Sequence, residues 1–438
     1  MGKSKVALIH QAPLPGATGD DKDVLDYPPE SVAAIERMIE EAFRLSAGGV
    51  KEVIAPGRRV FLKPNCFANV PPTSYASLDP RVMEALCRVI KRAVPDCYLM
   101  MGDSPSLGKV LGGSRQALQH TGLEAAAQRG GIDEVVYLDE TALIEVDVPA
   151  GKAIKRARVF KALAEADVLI DVPKMKTHIE GYVTMALKNW NGVIVWDGSP
   201  PFGSHPSAME GSHRSDLGQK MVDLHKALPP HFTILDGIIG MEGQGPHAGT
   251  RVDMNCIIAS RDPVAVDAVA CLVMGIDPFE VPAIRVAHHE GVGKARMPEE
   301  IEVAGARIEE VRRYFKRPVG DPAGAVPGVD VYEAGTCPGC MAMIRGALDG
   351  FAASGKQVQR VGILAGWNVP APALDYDLFI TVGDCWKTSP TKGQIDAYLE
   401  RLREKGATVM DYPGCSPVYV FVEINNTLQA LADGVLEG

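Results

Sequence analysis

The sequence predicts an α/β protein, with a mainly parallel, doubly wound sheet in a large first domain and a second, smaller α/β domain after it. Short apolar runs rich in β-branched residues alternate with stretches of helical periodicity, which is typical of a parallel sheet covered on both faces. Glycine (45) and proline (32) are plentiful among the 438 residues, whereas aromatic residues make up only 6%. This composition favours tight strand-to-helix turns over an aromatic-rich β-sandwich.

The elements of the first domain follow this alternation along the chain. Asp79 and Pro80 mark the start of one helix as its N-cap and first helical residue, and Gly275 marks the end of another. Strands are predicted at 5–10, 59–65, 97–105, 167–176, 232–243 and 255–263, and helices at 31–46, 79–93, 114–129 and 263–275.

A proline- and glycine-rich stretch without apolar periodicity covers residues 315–328 and is interpreted as a linker. It separates a large α/β domain, residues 1–314, from a small α/β domain, residues 329–438. Four further strand-like runs in the second part, with helices between them, predict a small doubly wound sheet.

Charge and hydropathy restrict the partners and the compartment. Lys and Arg number 45 and Asp and Glu 55, so the net charge of −10 argues against nucleic acid or an anionic membrane surface as the main partner. No apolar run is long enough for a signal peptide or a transmembrane helix. We therefore expect a cytoplasmic protein with reduced thiols; the sequence does not indicate its oligomeric state.

The nine cysteines divide into two groups. Cys87, Cys256 and Cys271 lie in apolar helices or strands, as buried structural thiols do, and Cys66 and Cys97 are grouped with them. Four others follow predicted strands of the second domain, where the carboxyl ends of parallel strands meet at one edge, and are candidate metal ligands: Cys337, Cys340, Cys385 and Cys415. Four thiolates suit a [4Fe–4S] cluster, which we favour, or zinc; a redox-active Cys-x-x-Cys pair is a further alternative.

Polar side chains follow the strands of the first domain in the same way. Lysines there could bind a carboxylate or phosphate, and carboxylates could perform acid–base chemistry or hold a divalent cation. The candidate catalytic residues are Asp103, Asp171, His178, Asp236 and Glu242. The candidate substrate-binding residues are Lys63, Asn65, Ser104, Lys174, Lys176, Lys188 and Asn189.

Several of these residues lie in short motifs that resemble those of a known family. The motifs are LKPN (62–65), GDSP (102–105), PKMKTH (173–178), ALKNWNG (186–192), GMEGQGP (240–246) and ASRDPVAVDAVACLVMGIDP (259–278). Together they resemble the domain-of-unknown-function family 362, often described as iron–sulfur cluster-binding proteins. The resemblance implies an α/β first domain and an attached iron–sulfur module. The ferredoxin-type cysteine run of such modules is replaced here by four dispersed cysteines. A looser analogy is with lactate-racemase-type nickel enzymes.

The sequence thus favours an iron–sulfur enzyme that acts on a small anionic substrate between its domains. Its chemistry would be that of an oxidoreductase or a lyase, with an electron-transfer protein as a further partner in the first case. Two alternatives remain: a non-catalytic cluster or metal carrier that docks a partner protein through its lysines, and a zinc-stabilised hydrolase or lyase.

Overall fold

The protein is described by a computed structural model that covers residues 2–14, 27–105, 113–195, 216–414 and 419–436. These residues divide into two compact units, the first reaching Pro318 and the second starting at Val319. The predicted fold class is confirmed, since a large mainly parallel sheet is followed by a separate small parallel sheet.

The first unit is built on a sheet of ten strands, with the order β13–β1–β12–β11–β7–β2–β3–β4; in addition, β8 pairs with β11, and β9 pairs with β8. Most neighbouring strands run parallel, but β12 runs antiparallel to both β1 and β11. The described strands of this unit, including three that belong to a second sheet, are β1 (Ser4–His10), β2 (Arg59–Pro64), β3 (Tyr98–Met101), β4 (Glu134–Val135), β5 (Leu143–Asp147), β6 (Arg156–Phe160), β7 (Val168–Val172), β8 (Lys174–His178), β9 (Tyr182–Thr184), β10 (Ile194–Val195), β11 (Phe232–Gln244), β12 (Ala248–Ser260) and β13 (Ile301–Gly305).

Strands β5, β6 and β10 form a second, antiparallel sheet of three strands. The hairpin of β11 and β12 is the main departure from the predicted strands. Only three residues join the two strands, a connection too short for the crossover that parallel strands need.

Helices cover both faces of the large sheet. Val60 and Leu62 of β2 pack in the same core as Ile35 and Val82, whereas Phe61 between them packs in a different core with Trp190. The helices of this unit are α1 (Pro29–Ala47), α2 (Pro80–Ala93), α3 (Gly113–His120), α4 (Leu123–Arg129), α5 (Lys161–Ala164), α6 (Ala186–Asn189), α7 (Leu217–Ala227), α8 (Pro263–Val273), α9 (Pro282–His289) and α10 (Ile308–Val311).

One predicted helix is wrong in detail. The stretch 114–129 is divided into α3 and α4, because Gly122 lies between them in the left-handed region, with a φ of 75°. The N-cap prediction for α2 is confirmed, since the Asp79 carboxylate accepts a hydrogen bond from the Arg81 amide.

The second unit contains four parallel strands in the order β14–β15–β16–β17. Alternate residues of β15 separate its two cores, with Ile363 on the side of Phe351 and Leu364 on the side of Ile395. The elements are β14 (Val329–Ala334), α11 (Pro338–Ala353), β15 (Val361–Gly366), β16 (Leu378–Val382), α12 (Lys392–Glu404), β17 (Thr408–Tyr412) and α13 (Val420–Ala432).

Among the described residues, no helix combines the length and the apolar character that crossing a membrane requires.

Candidate functional site

Two buried ion pairs lie close together, one where β2 and β3 end and the other where β8 begins beside β11. The Lys63 ammonium lies 2.7 Å from Oδ1 of Asp103, and the Lys174 ammonium lies 2.8 Å from Oδ2 of Asp236. All four side chains are almost completely buried. Together with three more residues they form what we call the lysine–aspartate cluster, which consists of Lys63, Lys174, Lys176, Lys188, Asp103, Asp171 and Asp236.

Asp103 and Asp236 also accept hydrogen bonds from the backbone. Asp103 binds the amides of Cys66 and Ser104, at 2.7 and 2.8 Å, and Asp236 binds the amides of Asp79 and Ile238, at 2.9 Å each. Both carboxylates are therefore engaged on both oxygens, an arrangement that suits charge compensation of the lysines. Burial raises the pKa of Asp103 even though Lys63 favours its ionised form.

Asn189 connects the first ion pair to Asp171. Its side-chain oxygen accepts hydrogen bonds from Lys63 and from the Asn65 amide group, at 3.2 and 3.0 Å. Its side-chain nitrogen donates to Oδ1 of Asp171 at 2.7 Å. Strand pairing supports this arrangement, because Lys63 of β2 lies opposite Asp171 of β7 in the sheet.

Asp171 is the unusual carboxyl group of the cluster. Its side chain is completely buried, and Oδ2 has no hydrogen-bond partner among the described residues. Burial raises the pKa of Asp171 well above its usual value, while the bond from Asn189 and the charge of Lys63 act in the opposite direction. The unpartnered Oδ2 is the oxygen on which a proton would reside. Oδ1 of Asn65 is likewise buried and without a partner among the described residues.

Strand β8 places two lysines and a histidine on one face. Side chains alternate between the two faces of a strand, so Lys174, Lys176 and His178 share a side, while Met175 packs into the apolar core. Lys176 is about as buried as Lys174. Within the described part of the chain, its ammonium binds only the carbonyl oxygens of Ala76 and Pro246, and it lies 5.2 Å from the centre of the Phe67 ring.

Lys176 forms no ion pair with any carboxylate among the described residues. Burial, together with the neighbouring ammonium groups of Lys188 and Lys174, lowers the pKa of Lys176 well below its usual value. An anion bound beside it would reverse that effect, because it would stabilise the charged ammonium.

His178 is held as a neutral ring. Its Nδ1 accepts hydrogen bonds from the amides of Glu180 and Gly181, at 3.0 and 3.1 Å. A ring nitrogen that accepts is unprotonated, so the proton of the neutral ring resides on Nε2. His178 is 4% exposed, and the turn between β8 and β9 therefore fixes its tautomer.

Lys188 lies on α6, a single helical turn that carries Asn189 as well. The Asp267 carboxylate binds the first two amides of this turn, those of Ala186 and Leu187, at 2.7 and 2.9 Å. Burial raises the pKa of Asp267 to about 7, although these two hydrogen bonds oppose the shift. Lys188 is half-buried, and its ammonium forms no hydrogen bond or ion pair with the described residues.

Gly192 closes the cluster at the end of the same segment. A Cβ at this position would lie 2.5 Å from Oδ1 of Asp103 and 3.1 Å from the Lys63 nitrogen. The absence of a side chain therefore lets the backbone pass directly over the first ion pair.

Three residues that support the cluster, namely Asp79, Arg81 and Asp267, were not among the predicted site residues. Asp79 was treated as a helix cap only, yet its amide also binds Asp236, and its carboxylate forms a buried ion pair with Arg81 at 2.7 Å. Burial alone would raise the pKa of Asp79, but Arg81 holds it below its usual value. The sequence signal for Asp267 is a single carboxylate in the otherwise apolar helix α8.

Ser104 and Glu242 complete the predicted set. Ser104 is buried beside Asp103, to which its amide donates. The structure does not bring Glu242 into the cluster. Its carboxylate accepts a hydrogen bond from the Lys316 amide at 2.9 Å, since β11 continues as a hairpin arm beyond the sheet edge.

The predicted metal ligands belong to the second unit. Cys337 is exposed at the N-cap of α11, Cys340 is buried in the first turn of the same helix, and Cys385 is half-buried at the start of the short 3-10 helix that follows β16. Cys415 lies outside the described residues. The described cysteines form no disulfide, and the described residues contain no group of three His, Cys, Asp or Glu side chains that could hold a metal ion.

The chain segments that carry these cysteines nevertheless meet. A Cβ on Gly383 would lie 3.4 Å from the Cys340 sulfur and 3.3 Å from the Gly414 carbonyl oxygen. Asp384 and Gly414 are joined by two hydrogen bonds, from the Asp384 amide to the Gly414 carbonyl at 3.0 Å and from the Gly414 amide to the Asp384 carboxylate at 2.9 Å. The residues that directly precede Cys385 and Cys415 are thus fixed to each other.

Comparison with known proteins adds one relative and two solved structures. The chain is 29% identical over 245 residues to the thylakoid-associated protein sll1697 of Synechocystis sp. The aligned region covers 56% of this chain and 72% of that protein. The lactate racemase apoprotein of Thermoanaerobacterium thermosaccharolyticum matches with 11% identity and a TM-score of 0.35, over 92% of this chain and 89% of that one. A Thermotoga maritima protein matches with 12% identity and a TM-score of 0.26, over 49% and 51% of the two chains.

A family model also matches part of the sequence. It is the domain of unknown function DUF362, and the match covers residues 60–272. Every member of the lysine–aspartate cluster lies within this range, as do Asn65, Asn189 and Asp267. Residues 60–272, just under half of the chain, are therefore similar to the DUF362 family.

Proposed function

We propose that the first unit is an enzyme that binds a small anionic substrate at Lys176 and Lys188 and performs acid–base chemistry with Asp171. The observation that carries this proposal is the imbalance of charge in the cluster. The ammonium groups of Lys63 and Lys174 are neutralised by carboxylates, whereas those of Lys176 and Lys188 have no such partner among the described residues. Buried positive charge without a partner is costly, and an anionic ligand removes that cost.

Asp171 supplies the group for proton transfer. Asn189 occupies Oδ1 as donor, so Oδ2 is left to carry a proton and to give it to a bound substrate. A buried carboxyl group with a raised pKa is suited to this role near neutral pH. Lys63, Asn65 and Asn189 then act as positioning residues around it.

Burial of the lysines argues against the carrier alternative. Lysines that dock a partner protein would be exposed, but Lys63, Lys174 and Lys176 are each only 1% exposed. They are therefore better placed to meet a small ligand than a protein surface.

Calorimetric titration with phosphate and with malonate tests the proposal and separates phosphate from carboxylate recognition. We expect one of the two to bind. Lys176→Met should weaken that binding about tenfold or more, which corresponds to the loss of about 1.4 kcal/mol from a hydrogen bond to a charged group. Lys51→Met, at an exposed position, is the matched control. Equal affinity in both variants would contradict the proposed site.

The proposal also assigns a [4Fe–4S] cluster to Cys337, Cys340, Cys385 and Cys415, with zinc as the alternative metal. The proximity of Gly383 to the Cys340 sulfur and to Gly414 supports it, since the segments that bear three of the four cysteines approach one another there. Thiolates are the ligands that such clusters take, and one thiol at the start of α11 is favoured as thiolate by the helix dipole. When bound, the cluster supplies electron transfer or a Lewis-acidic iron.

Anaerobic purification followed by iron, sulfide and zinc analysis tests this assignment. We expect about four irons per chain, a paramagnetic signal after reduction, and loss of most of the iron in Cys385→Ser. Cys87→Ser, which alters a buried helical thiol, should retain the iron. One zinc per chain without iron would replace the cluster with a structural metal site.

A further inference from the structure

We propose that Lys188 forms a covalent imine with the carbonyl group of a 2-oxo acid. This inference rests on the proposed anion-binding function and adds to it the identity of the ligand class and the nucleophile. Lys188 is singled out by its contacts, by the rigidity of its attachment and by the charges around it.

The head group of Lys188 differs from those of the other lysines in the cluster. Lys63 binds Asp103, the Pro64 carbonyl and Asn189, and Lys174 binds Asp236. Lys176 binds two backbone carbonyl groups. Lys188 alone in the cluster makes no such contact within the described part of the chain. A nucleophilic amine needs this freedom, because its lone pair must reach a carbonyl carbon.

The stem of Lys188 is held in place although its head is not. The Asp267 carboxylate fixes the turn on which Lys188 lies, through the amides of Ala186 and Leu187. The side chain then passes over Gly181, where a Cβ would lie 3.2 and 3.3 Å from Cδ and Cε of Lys188. The glycine therefore leaves a channel for the stem, and the reacting nitrogen has a defined position.

The surroundings of Lys188 favour the neutral amine. Burial, with the charge of Lys63 on β2, lowers the pKa of Lys188 to about 8, while Glu180 in the turn after β8 acts in the opposite direction. Lys176 on β8 is the other cation that interacts with it. At pH 7 about a tenth of Lys188 is then unprotonated, compared with less than about a thousandth of an ordinary exposed lysine.

A 2-oxo acid matches the two lysines that lack carboxylate partners. Its carboxylate is adjacent to its carbonyl group, so one anionic group and one electrophilic carbon reach the site together. Lys176 supplies the charge for the carboxylate, and Lys188 supplies the amine for the carbonyl carbon.

The reaction balances without a further reactant. The Lys188 nitrogen forms a bond to the carbonyl carbon, and the carbonyl oxygen takes up the displaced protons. That oxygen then leaves as water, while the nitrogen lone pair forms the C=N bond. The ammonium form of Lys188 and the 2-oxo acid thus give a protonated imine and one molecule of water, with no oxidant or reductant.

Reductive trapping tests the proposal. The protein is incubated with pyruvate and sodium cyanoborohydride, and the adduct is located by peptide mass spectrometry. We expect one dominant adduct, on Lys188, with a yield that rises about fivefold to tenfold between about pH 7 and pH 9 as the amine loses its proton. Lys51→Met should leave this adduct unchanged.

Lys188→Arg separates the imine from anion binding, because arginine keeps the charge but cannot form the imine. We expect this variant to lose the adduct and to retain carboxylate binding in calorimetry; Lys188→Met should lose the adduct as well. If the wild-type protein binds the carboxylate but labels Lys188 no faster than its exposed lysines, the imine is excluded and the anion site stands. If neither binding nor labelling occurs, the proposed function fails with it.

Discussion

Gly192 shows how closely the lysine–aspartate cluster is packed at the scale of one residue. Its backbone lies over the Lys63–Asp103 pair at a distance that leaves no room for a methyl group. The neighbouring atoms belong to a charged pair with its own hydrogen bonds, so they cannot move away without losing them.

We therefore expect Gly192→Ala to lower the free energy of unfolding by about 2–3 kcal/mol, through overpacking and displacement of the ion pair. Urea denaturation measures this change, and calorimetry should show weaker anion binding. Gly393→Ala is the matched control, since a Cβ there meets no atom within 4 Å and the residue lies in helix α12. That variant should be neutral or up to about 1 kcal/mol more stable. If the urea midpoint of Gly192→Ala equalled that of the wild type, the backbone would be able to shift at little cost in stability.

The Lys174–Asp236 pair allows a second prediction at this scale. Lys174→Met leaves the carboxylate of Asp236 buried with only backbone amides as partners, and we expect a loss of about 3–5 kcal/mol. Lys392→Met removes one partner of an exposed pair with Asp396 and should change the stability by less than about 0.5 kcal/mol. Similar effects of the two substitutions in urea denaturation would contradict the role assigned to burial.

At the scale of elements, the clasp between the ends of β16 and β17 has the clearest consequence. Asp384 binds the Gly414 amide, and Lys387 binds both Asp384 and Asp411, so this corner of the small sheet is held by side chains as well as by the ladder. In the sequence, Asp384 and Gly414 directly precede two of the four proposed cysteine ligands.

We expect Asp384→Ala to reduce the iron content of anaerobically purified protein by half or more, because Gly414, which directly precedes Cys415 in the sequence, loses its hydrogen bond to the carboxylate. Asp396→Ala, an exposed change on α12, should leave the metal content unchanged. Elemental analysis measures the metal, and circular dichroism confirms that both variants are folded. Full iron loading of folded Asp384→Ala would mean that the clasp does not position a ligand.

The pattern of strands and helices explains which site residues could be predicted from the sequence and which could not. Residues at or near the end of a strand, such as Lys63, Asp103 and Asp171, were predicted to converge because parallel strands end at one edge. Glu242 obeys the same pattern in sequence but not in space, since β11 runs on as one arm of a hairpin. Asp267 is the single carboxylate of an otherwise apolar helix, but it was missed because its two partners are backbone amides that leave no trace in the sequence.

For the whole molecule, acid sensitivity follows from His225. This side chain is buried in α7, its Nδ1 donates to the Met221 carbonyl oxygen, and its ring packs against Trp190. Burial lowers the pKa of His225 to about 4, and the bond to Met221 opposes this only in part. The folded protein therefore keeps the ring neutral at a pH where the unfolded chain protonates it.

The sign of the effect follows from proton uptake. Between pH 6.5 and about 4 the unfolded state binds a proton that the folded state does not. The free energy of unfolding therefore decreases by up to about 3 kcal/mol, owing to this residue, as the pH is lowered through this range. Urea denaturation across this range should show a shallower dependence in His225→Gln. His289→Gln is the control, because His289 makes the same contact to a carbonyl four residues earlier but is exposed. If the free energy of unfolding depended on pH in the same way in both variants, the role of His225 would be refuted.

The alternation of β8 has a consequence for the lengths that this segment tolerates. Lys174, Lys176 and His178 share one face only because one residue separates each from the next. A deletion of a single residue ahead of Lys174 would shift the strand by one position, so that two lysines and a histidine would enter the apolar core and Met175 would take their place on the opposite face. Relatives that keep this site should therefore differ by substitution along β8 but not by single insertions or deletions.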